Sequence, residues 1–239
     1  QTRSLPSLMA KGPSTSTTLL AAFLTFMDMG ACASSPHSNW ETIETQPGEA
    51  ATFGAGCYWG TEKFFRKDFD KLFPGAVTST AVGFMGPPGS KLDPSYEEVC
   101  TGQTGHVEVL HIKFDPSKAT FQDLCKFFFS FHDPTTLNRQ GNDRGPQYAS
   151  AIFYHSEAQK EVAGRVIADI DRRLSKGALK FAGQKYFLGN QVTTAVKAAT
   201  KFYPADETHQ MYLENNPLGY CNHGIRFRWA DQGEIKSDL

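Results

Sequence analysis

One segment, residues 53–60, constrains the fold of this chain more than any other. A short apolar run leads into it, its glycines permit a tight turn, and an amphipathic stretch follows. This order predicts a β-strand, a glycine turn and the first turn of an α-helix. Cys57 falls in the turn, where unpaired N–H groups and the helix dipole favour a thiolate. The segment predicts a nucleophile beside an apolar pocket walled by Tyr58 and Trp59, and an ordinary structural cysteine is the alternative.

Size and charge exclude several classes of function. With 239 residues, of which 40% are hydrophobic, the chain is long enough to bury a core in a single domain. A formal net charge of -1 without a basic stripe gives no general attraction to nucleic acid or anionic membranes. The 5 cysteines are widely spaced, without a Cys-x-x-Cys pair, which argues against a structural metal and against a disulfide-dense scaffold. This leaves room for some of these cysteines to be reactive thiols.

Residues 1–47 differ in composition from the rest and are rich in Ser, Thr, Ala and Pro. Their apolar run, residues 19–27, is too short to span a bilayer as a helix. A signal peptide beginning at Met9 and an organelle transit peptide fit about equally well, and a disordered leader without an address is the alternative. An organelle or secretory route is thus suggested, with the cytoplasm otherwise. We exclude this segment from the expected fold, which begins at Gly48.

The clearest predicted strand covers residues 107–114. Alternation places Glu108 on the same face as Leu110, Ile112 and Phe114, so its carboxyl group points toward the apolar side. Loss of hydration disfavours the carboxylate and raises its pKa toward the range useful to a general acid. The alternative is that Glu108 lies at the strand end and reaches solvent.

Strands and helices alternate through the rest of the globular part. Further strands are predicted at residues 76–84, 149–154 and 191–202. Helices are predicted after Ser95, Thr120 and Ser156, and a short one begins at Pro204. The polar loop at residues 131–148 is long enough to be functional, and the glycine-rich segment at residues 215–224 should be mobile. The economical interpretation is an α+β domain of two layers.

Five segments, taken together, resemble the A-type peptide methionine sulfoxide reductases, which reduce methionine S-sulfoxide. The first is Gly-Cys-Tyr-Trp-Gly at residues 56–60, although most members carry Phe at the position of Tyr58. The other four follow in the family's order, at residues 96–108, 138–148, 202–213 and 216–221. The resemblance covers about residues 50–222 and is highly specific.

The resemblance implies a role for each residue of the site. Cys57 corresponds to the nucleophile that attacks the sulfoxide sulfur. Glu108 corresponds to the general acid, and Asp143 to its companion carboxylate. Tyr96 and Tyr148 correspond to the pair that holds the sulfoxide oxygen. Methionine then leaves as the nucleophile becomes a sulfenic acid.

The resemblance also implies a way of recycling the enzyme. Cys221 would condense with the sulfenic acid on Cys57, leaving a disulfide for thioredoxin or dithiothreitol to reduce. Tyr58 and Trp59 would enclose the substrate methyl group and select the S epimer. No metal or organic cofactor is required. Whether Cys100 can replace Cys221 is open, since pairing depends on distance.

The family's architecture completes these expectations. It implies an α+β, two-layer ferredoxin-like sandwich, with a mixed sheet, flanking helices and long functional loops. By composition, residues 1–47 would be the leader, residues 48–222 the catalytic domain with its resolving cysteine in the C-terminal loop, and residues 223–239 a tail. The expected partners are thioredoxin and methionine sulfoxide, free or in proteins under repair of oxidative damage, with no nucleic acid and no membrane span. We expect a monomer.

Three features depart from the family's pattern. The loop at residues 84–95 is longer than the usual glycine turn, so the presentation of Tyr96 is less defined than that of Tyr148. Ala149 stands where members of the family commonly carry an arginine after the Gln-Tyr pair, and this difference affects a surface contact. No cysteine follows Cys221, so recycling should pass through this residue alone.

Two other functions fit parts of the sequence. A thiol peroxidase would share a low-pKa cysteine but has no use for Glu108 and a pair of tyrosines around a methyl pocket. A non-catalytic redox or binding module would have lost at least one of the reacting side chains, and all are present.

Overall fold

A mixed β-sheet organises the part of the chain described by the computed structural model, residues 40–181 and 184–231. The strands of the described residues are β1 (Glu49–Ala55), β2 (Val77–Met85), β3 (Val107–Phe114), β4 (Arg139–Gln140), β5 (Asp143–Arg144), β6 (Ser150–Tyr154), β7 (Lys180–Phe181), β8 (Gln184–Lys185), β9 (Ala195–Ala198) and β10 (Tyr203–Pro204). Six of them form this sheet in the order β10-β2-β3-β1-β6-β9, and the pairs β4-β5 and β7-β8 form two separate two-stranded sheets.

Helices connect most of these strands. The α-helices are α1 (Tyr58–Lys63), α2 (Asp70–Leu72), α3 (Tyr96–Cys100), α4 (Phe121–Phe131), α5 (Glu157–Ser175) and α6 (Tyr212–Asn215). A π-helical segment, Phe64–Phe69, joins α1 to α2. Among the described residues, 3₁₀ helices cover Trp40–Thr45, Pro146–Tyr148 and Glu207–His209.

Side-chain caps explain where three helices begin. Ser95 and Thr120 each accept a hydrogen bond from the backbone N–H three residues later and complete a capping box before α3 and α4. Ser156 accepts one from the N–H of Gln159 at the start of α5. These are the three starts that the sequence predicts, and the structure confirms them.

Pairing within the sheet sets its mixed character. β1 lies between β3 and β6 and runs antiparallel to both, with Phe53 opposite Leu110 on one side and Ile152 on the other. β2 also pairs antiparallel with β3, whereas β9 runs parallel to β6. The predicted mixed sheet with flanking helices is therefore confirmed.

The core has two parts, one on each face of the sheet. On the helical face, the Phe53 ring stacks on Phe65 and Phe128, with ring centroids 5.3 Å and 5.1 Å apart. Burying each such ring contributes roughly 1.5–3 kcal/mol. The other face carries a smaller buried cluster that includes Val109 and Phe153. Glu108 therefore belongs to the helical face, as the strand alternation predicts.

The folded part extends past both boundaries predicted from composition. The predicted leader was excluded up to residue 47, but Trp40–Thr45 is a 3₁₀ helix whose Ile43 is buried on the sheet. The predicted tail begins at residue 223, but Phe227 and Trp229 are buried in the main core. A few apolar side chains anchor each segment, and average composition does not reveal them. The predicted targeting run, residues 19–27, lies outside the described residues.

The predicted helix at Pro204 is wrong. Tyr203–Pro204 is the edge strand β10, paired with β2, and an edge tolerates the missing N–H of proline. Helical structure begins later, at Glu207–His209. The strand predicted at residues 191–202 is also shorter than expected and is limited to β9.

Candidate active site

Cys57 lies between β1 and α1, where it is the N-cap residue of the helix. The backbone N–H groups of Trp59 and Gly60 face its sulfur. The turn needs glycine at residue 56, because Gly56 has a φ of +93° and a Cβ atom there would collide with the side chain of Gln140. The structure thus confirms the strand, turn and helix predicted for residues 53–60.

Glu108 lies beside this turn because of the sheet register. Phe53 pairs with Leu110, so continuing the antiparallel pairing by two residues brings Ala55 opposite Glu108. The Glu108 side chain is 2% exposed, and its Oε2 accepts a hydrogen bond of 3.2 Å from the Tyr58 N–H. Burial raises the pKa of Glu108 to about 8, the Tyr58 N–H opposes this, and Asp143 adds to it. The carboxyl group therefore holds a proton near neutral pH.

The Cys57 thiol behaves differently from the expectation drawn from its helix position. Burial raises its pKa well above the ordinary value, and the charges of Glu108 and Asp143 add to that effect. The N–H groups of Trp59 and Gly60 lower the pKa but do not compensate. The predicted resting thiolate is therefore wrong for the substrate-free protein, and the thiol must lose its proton during the reaction.

Besides Tyr58, two phenol groups lie within electrostatic range of the same carboxyl group. Tyr96 opens α3, and Tyr148 ends the 3₁₀ helix just before β6. Burial raises the pKa of both hydroxyl groups, and the charge of Glu108 raises both further. Both hydroxyls are therefore protonated at neutral pH and available as hydrogen-bond donors. Cys100, exposed at the end of α3, interacts with the Tyr96 hydroxyl.

Aromatic rings form a wall next to the cysteine. Trp59 stacks on Tyr212 with centroids 3.8 Å apart, and its Nε1 donates a 3.2 Å hydrogen bond to His209. The His209 ring lies 4.7 Å from that of Tyr96. Tyr58 is fully buried under this wall, and its hydroxyl has no hydrogen-bond partner among the described residues. The sequence motifs contained His209 and Tyr212, but nothing in the sequence assigned a role to either.

The segment that carries Cys221 docks on Asp143. Tyr220 donates a 3.1 Å hydrogen bond to Oδ1 of Asp143, and Asn222 donates one of 2.7 Å to Oδ2. Asn222 also donates to the Gln140 carbonyl at 2.7 Å. Cys221, between the two donors, is a partly buried free thiol that packs against the same core cluster as Cys57. The structure thus brings both cysteines to one side of the sheet, and sequence reasoning did not identify the two donors that hold Cys221 there.

The described ranges, residues 40–181 and 184–231, lack a cluster of metal-binding side chains and a helix able to span a membrane. No group of three or more His, Cys, Asp or Glu side chains in these ranges is arranged to hold a metal ion. None of the helices in the same ranges has both the length and the apolar character needed to cross a bilayer.

Known proteins are similar to this chain in both sequence and fold. Residues 49–234 match the family model described as peptide methionine sulfoxide reductase. Peptide methionine sulfoxide reductase MsrA of Methanothermobacter thermautotrophicus is 47% identical over 173 residues, which cover 72% of this chain and 90% of that protein. The probable peptide methionine sulfoxide reductase of Schizosaccharomyces pombe is 37% identical over 181 residues, or 76% and 97% of the two chains.

Solved structures agree with these sequence matches. Mxr1 from Saccharomyces cerevisiae in reduced form superposes with a TM-score of 0.62 at 35% identity, covering 75% of this chain and 92% of its own. Methionine sulfoxide reductase A of Corynebacterium diphtheriae gives 0.58 at 35% identity, with 78% and 84% covered.

Proposed function

The chain belongs to the peptide methionine sulfoxide reductase family, and from that premise we propose that Cys57 takes the sulfoxide oxygen and that Cys221 restores the thiol. The enzyme is an oxidoreductase that acts on methionine sulfoxide. One observation supports the proposed chemistry more than any other. A buried carboxyl group, Glu108, keeps its proton near neutral pH and is bound to the N–H next to Cys57.

The first step transfers oxygen from the substrate to the enzyme. Cys57 attacks the sulfoxide sulfur while Glu108 gives its proton to the oxygen, and Tyr96 and Tyr148 donate hydrogen bonds to it. The protonated oxygen then passes to the Cys57 sulfur as its bond to the substrate sulfur and the new sulfur–sulfur bond both break. Glu108 becomes a carboxylate as it donates, so it can accept the proton that Cys57 loses. Methionine sulfoxide and a thiol thus become methionine and a sulfenic acid, with no net change in protons. This exchange supports a resting state in which both groups are protonated.

The second step returns the cysteine to its reactive state. Cys221 attacks the sulfenic acid, water leaves, and a Cys57–Cys221 disulfide remains. An external dithiol, thioredoxin in the cell or dithiothreitol in the assay, then reduces the disulfide. The docking of the Cys221 segment on Asp143 supports this assignment, because Asp143 also acts electrostatically on the Cys57 thiol. We propose that the reaction needs no metal or organic cofactor and that the protein acts as a monomer.

The aromatic wall supports a choice between the two epimers of the substrate. A sulfoxide sulfur carries a methyl group, an oxygen and a side-chain carbon. With the oxygen on Glu108 and the tyrosines, and the methyl group against Trp59, one handedness places the sulfur in front of Cys57. By resemblance to the family, we propose that this is the S epimer, free or in proteins, so that the enzyme repairs oxidised methionine. Tyr58, fully buried, would support this pocket from below.

We also propose that the central strands form a ferredoxin-like unit. The order β2-β3-β1-β6 is antiparallel throughout, with α1 following β1 and α4 following β3. This is the β-α-β-β-α-β arrangement of that fold, to which β9 and β10 add an edge strand each.

Racemic methionine sulfoxide tests the reaction class and its stereochemistry together. The full chain is incubated with the racemate and dithiothreitol, and chiral chromatography follows both epimers and the methionine formed. We expect the S epimer to disappear, because only this epimer places oxygen and methyl group in their respective pockets. Half of the substrate should then remain as the R epimer.

Two results would contradict this expectation. Consumption of the R epimer alone would reverse the proposed orientation of the methyl group. Consumption of peroxide without any sulfoxide turnover would favour a thiol peroxidase instead.

A further inference from the structure

The side chain of His223 lies on the turn that carries the reactive cysteine. Its Nε2 atom is 2.7 Å from the Ala55 carbonyl oxygen, and its ring fills the space above Gly60. A Cβ atom at Gly60 would collide with Nδ1 of this ring, so the glycine leaves room for the histidine. His223 follows Cys221 by two residues and therefore fixes the resolving segment directly to the active-site turn.

The contact with Ala55 determines which nitrogen of the ring carries the proton. A carbonyl oxygen only accepts hydrogen bonds, so Nε2 of His223 must be the donor. Burial lowers the pKa of His223 to about 4, the Ala55 bond opposes this, and the cationic side chains of Arg226 and Lys63 lower it further. The ring is then neutral near pH 7, with its proton on Nε2. Nδ1 is left with a free lone pair.

The resolving cysteine lies within reach of this nitrogen. The Cys221 sulfur is 4.0 Å from Nδ1 of His223, close enough for a small rotation of the thiol to form an S–H to nitrogen hydrogen bond. A cysteine paired with a histidine whose other nitrogen is held by a third group is the usual arrangement of an activated thiol. Here Ala55 is that third group, and it belongs to the strand that leads into Cys57.

We propose that His223 positions the thiol of Cys221 and accepts its proton as Cys221 attacks the sulfenic acid on Cys57. The sulfur–sulfur bond forms as the sulfur–oxygen bond of the sulfenic acid breaks. The proton passes from Cys221 to Nδ1 of His223 and at once to the departing hydroxide, which leaves as water, because burial and the charges of Arg226 and Lys63 disfavour a lasting imidazolium. Cys57 is reduced and Cys221 is oxidised by equal amounts, so no further reactant is needed. This inference rests on the proposed role of Cys221.

The substitution His223→Gln removes the proton acceptor beside Cys221 but can keep the hydrogen bond to Ala55. The amide nitrogen of glutamine can take the place of Nε2 and donate to Ala55, but no basic nitrogen then faces Cys221. Enzyme without reductant is mixed with one equivalent of methionine S-sulfoxide, quenched at intervals, and assayed for free methionine and for the Cys57–Cys221 disulfide by peptide mass mapping. In His223→Gln we expect disulfide formation to slow by about 100-fold, while methionine release, which precedes it, keeps the parent rate.

A second variant covers the case in which glutamine disturbs the segment. In His223→Ala, we expect free imidazole to speed disulfide formation again, because it supplies the missing base. Leu218→Ala, at a fully exposed side chain of the same segment, is the matched control and should form the disulfide at the parent rate.

The outcomes separate this inference from the proposed recycling. Disulfide formation at the parent rate in His223→Gln, or no response of His223→Ala to imidazole, would overturn the role of His223. Repeated thioredoxin-driven turnover by Cys221→Ser would instead show that the resolving thiol itself is misassigned, whatever the His223 variants do.

Discussion

Replacing Cys57 by serine should abolish methionine sulfoxide reduction, with turnover falling roughly 10⁴-fold or more. A hydroxyl group is a far weaker nucleophile than a thiol toward sulfur and cannot form a sulfenic acid or a disulfide. The substitution keeps the size of the side chain, so the N–H groups of Trp59 and Gly60 and the bond from Tyr58 to Glu108 should persist. Methionine formed from the S epimer with dithiothreitol measures the loss.

The matched control for this variant is another cysteine of the chain. Cys100 is exposed at the end of α3 and takes no part in making or breaking bonds in the first step, and a serine there can still hydrogen-bond to the Tyr96 hydroxyl. Cys100→Ser should therefore reduce the S epimer at close to the parent rate with dithiothreitol. Turnover by Cys57→Ser comparable to that of the control would remove Cys57 from the mechanism.

Replacing Glu108 by glutamine should lower the rate by about 10²- to 10⁴-fold, because the amide cannot give a proton to the sulfoxide oxygen. The parent enzyme should also lose activity as the pH rises above about 8, where the Glu108 carboxyl group ionises. In Glu108→Gln no such group titrates, so this alkaline decline should disappear from the profile of the residual activity. The pH dependence of turnover with the S epimer measures both effects.

The same variant should be more stable than the parent at alkaline pH. The Glu108 pKa is about 8 in the folded protein, against an ordinary value of 4.5. Between these two pH values the unfolded state ionises while the folded state keeps the proton, so the parent loses stability as the pH rises. Below about 4.5 both states are protonated, and this difference vanishes. Glu108→Gln lacks this titration. Its free energy of unfolding should therefore rise relative to that of the parent between pH 4.5 and 8, and denaturant unfolding measures the difference.

A combination of lower activity with higher stability distinguishes a lost proton donor from a damaged fold. If Glu108→Gln were both inactive and less stable at pH 8, the side chain would be a structural element of the site. If the activity of the variant still declined above about pH 8, as in the parent, the group that titrates there would not be Glu108.

Local sequence patterns predicted the parts of the fold that depend on local physics. The alternation in residues 107–114 placed Glu108 on the buried face, since strand geometry fixes which side chains share a face. Ser95, Thr120 and Ser156 marked helix starts because each cap acts within three residues. The helix predicted at Pro204 failed because pairing with β2, far away in the chain, decides the conformation there.

The electrostatics of the site could not be predicted in the same way. A helix N-terminus alone favours the Cys57 thiolate, but the fold also buries the sulfur and places Glu108 and Asp143 near it. Those carboxyl groups come from other elements, so their effect depends on tertiary structure. The docking of His223 on Ala55 joins residues 168 positions apart, and no local pattern reveals such a contact.

The most direct test of the account is the chemical state of Cys57 after one turnover. Cys221→Ser is given one equivalent of methionine S-sulfoxide without reductant, in the presence of a 1,3-diketone that traps sulfenic acids, and peptide mass mapping locates the label. We expect one methionine to be released for each label, with the label on Cys57. A label on another cysteine, or methionine released without a label on Cys57, would contradict the central claim that Cys57 takes the oxygen.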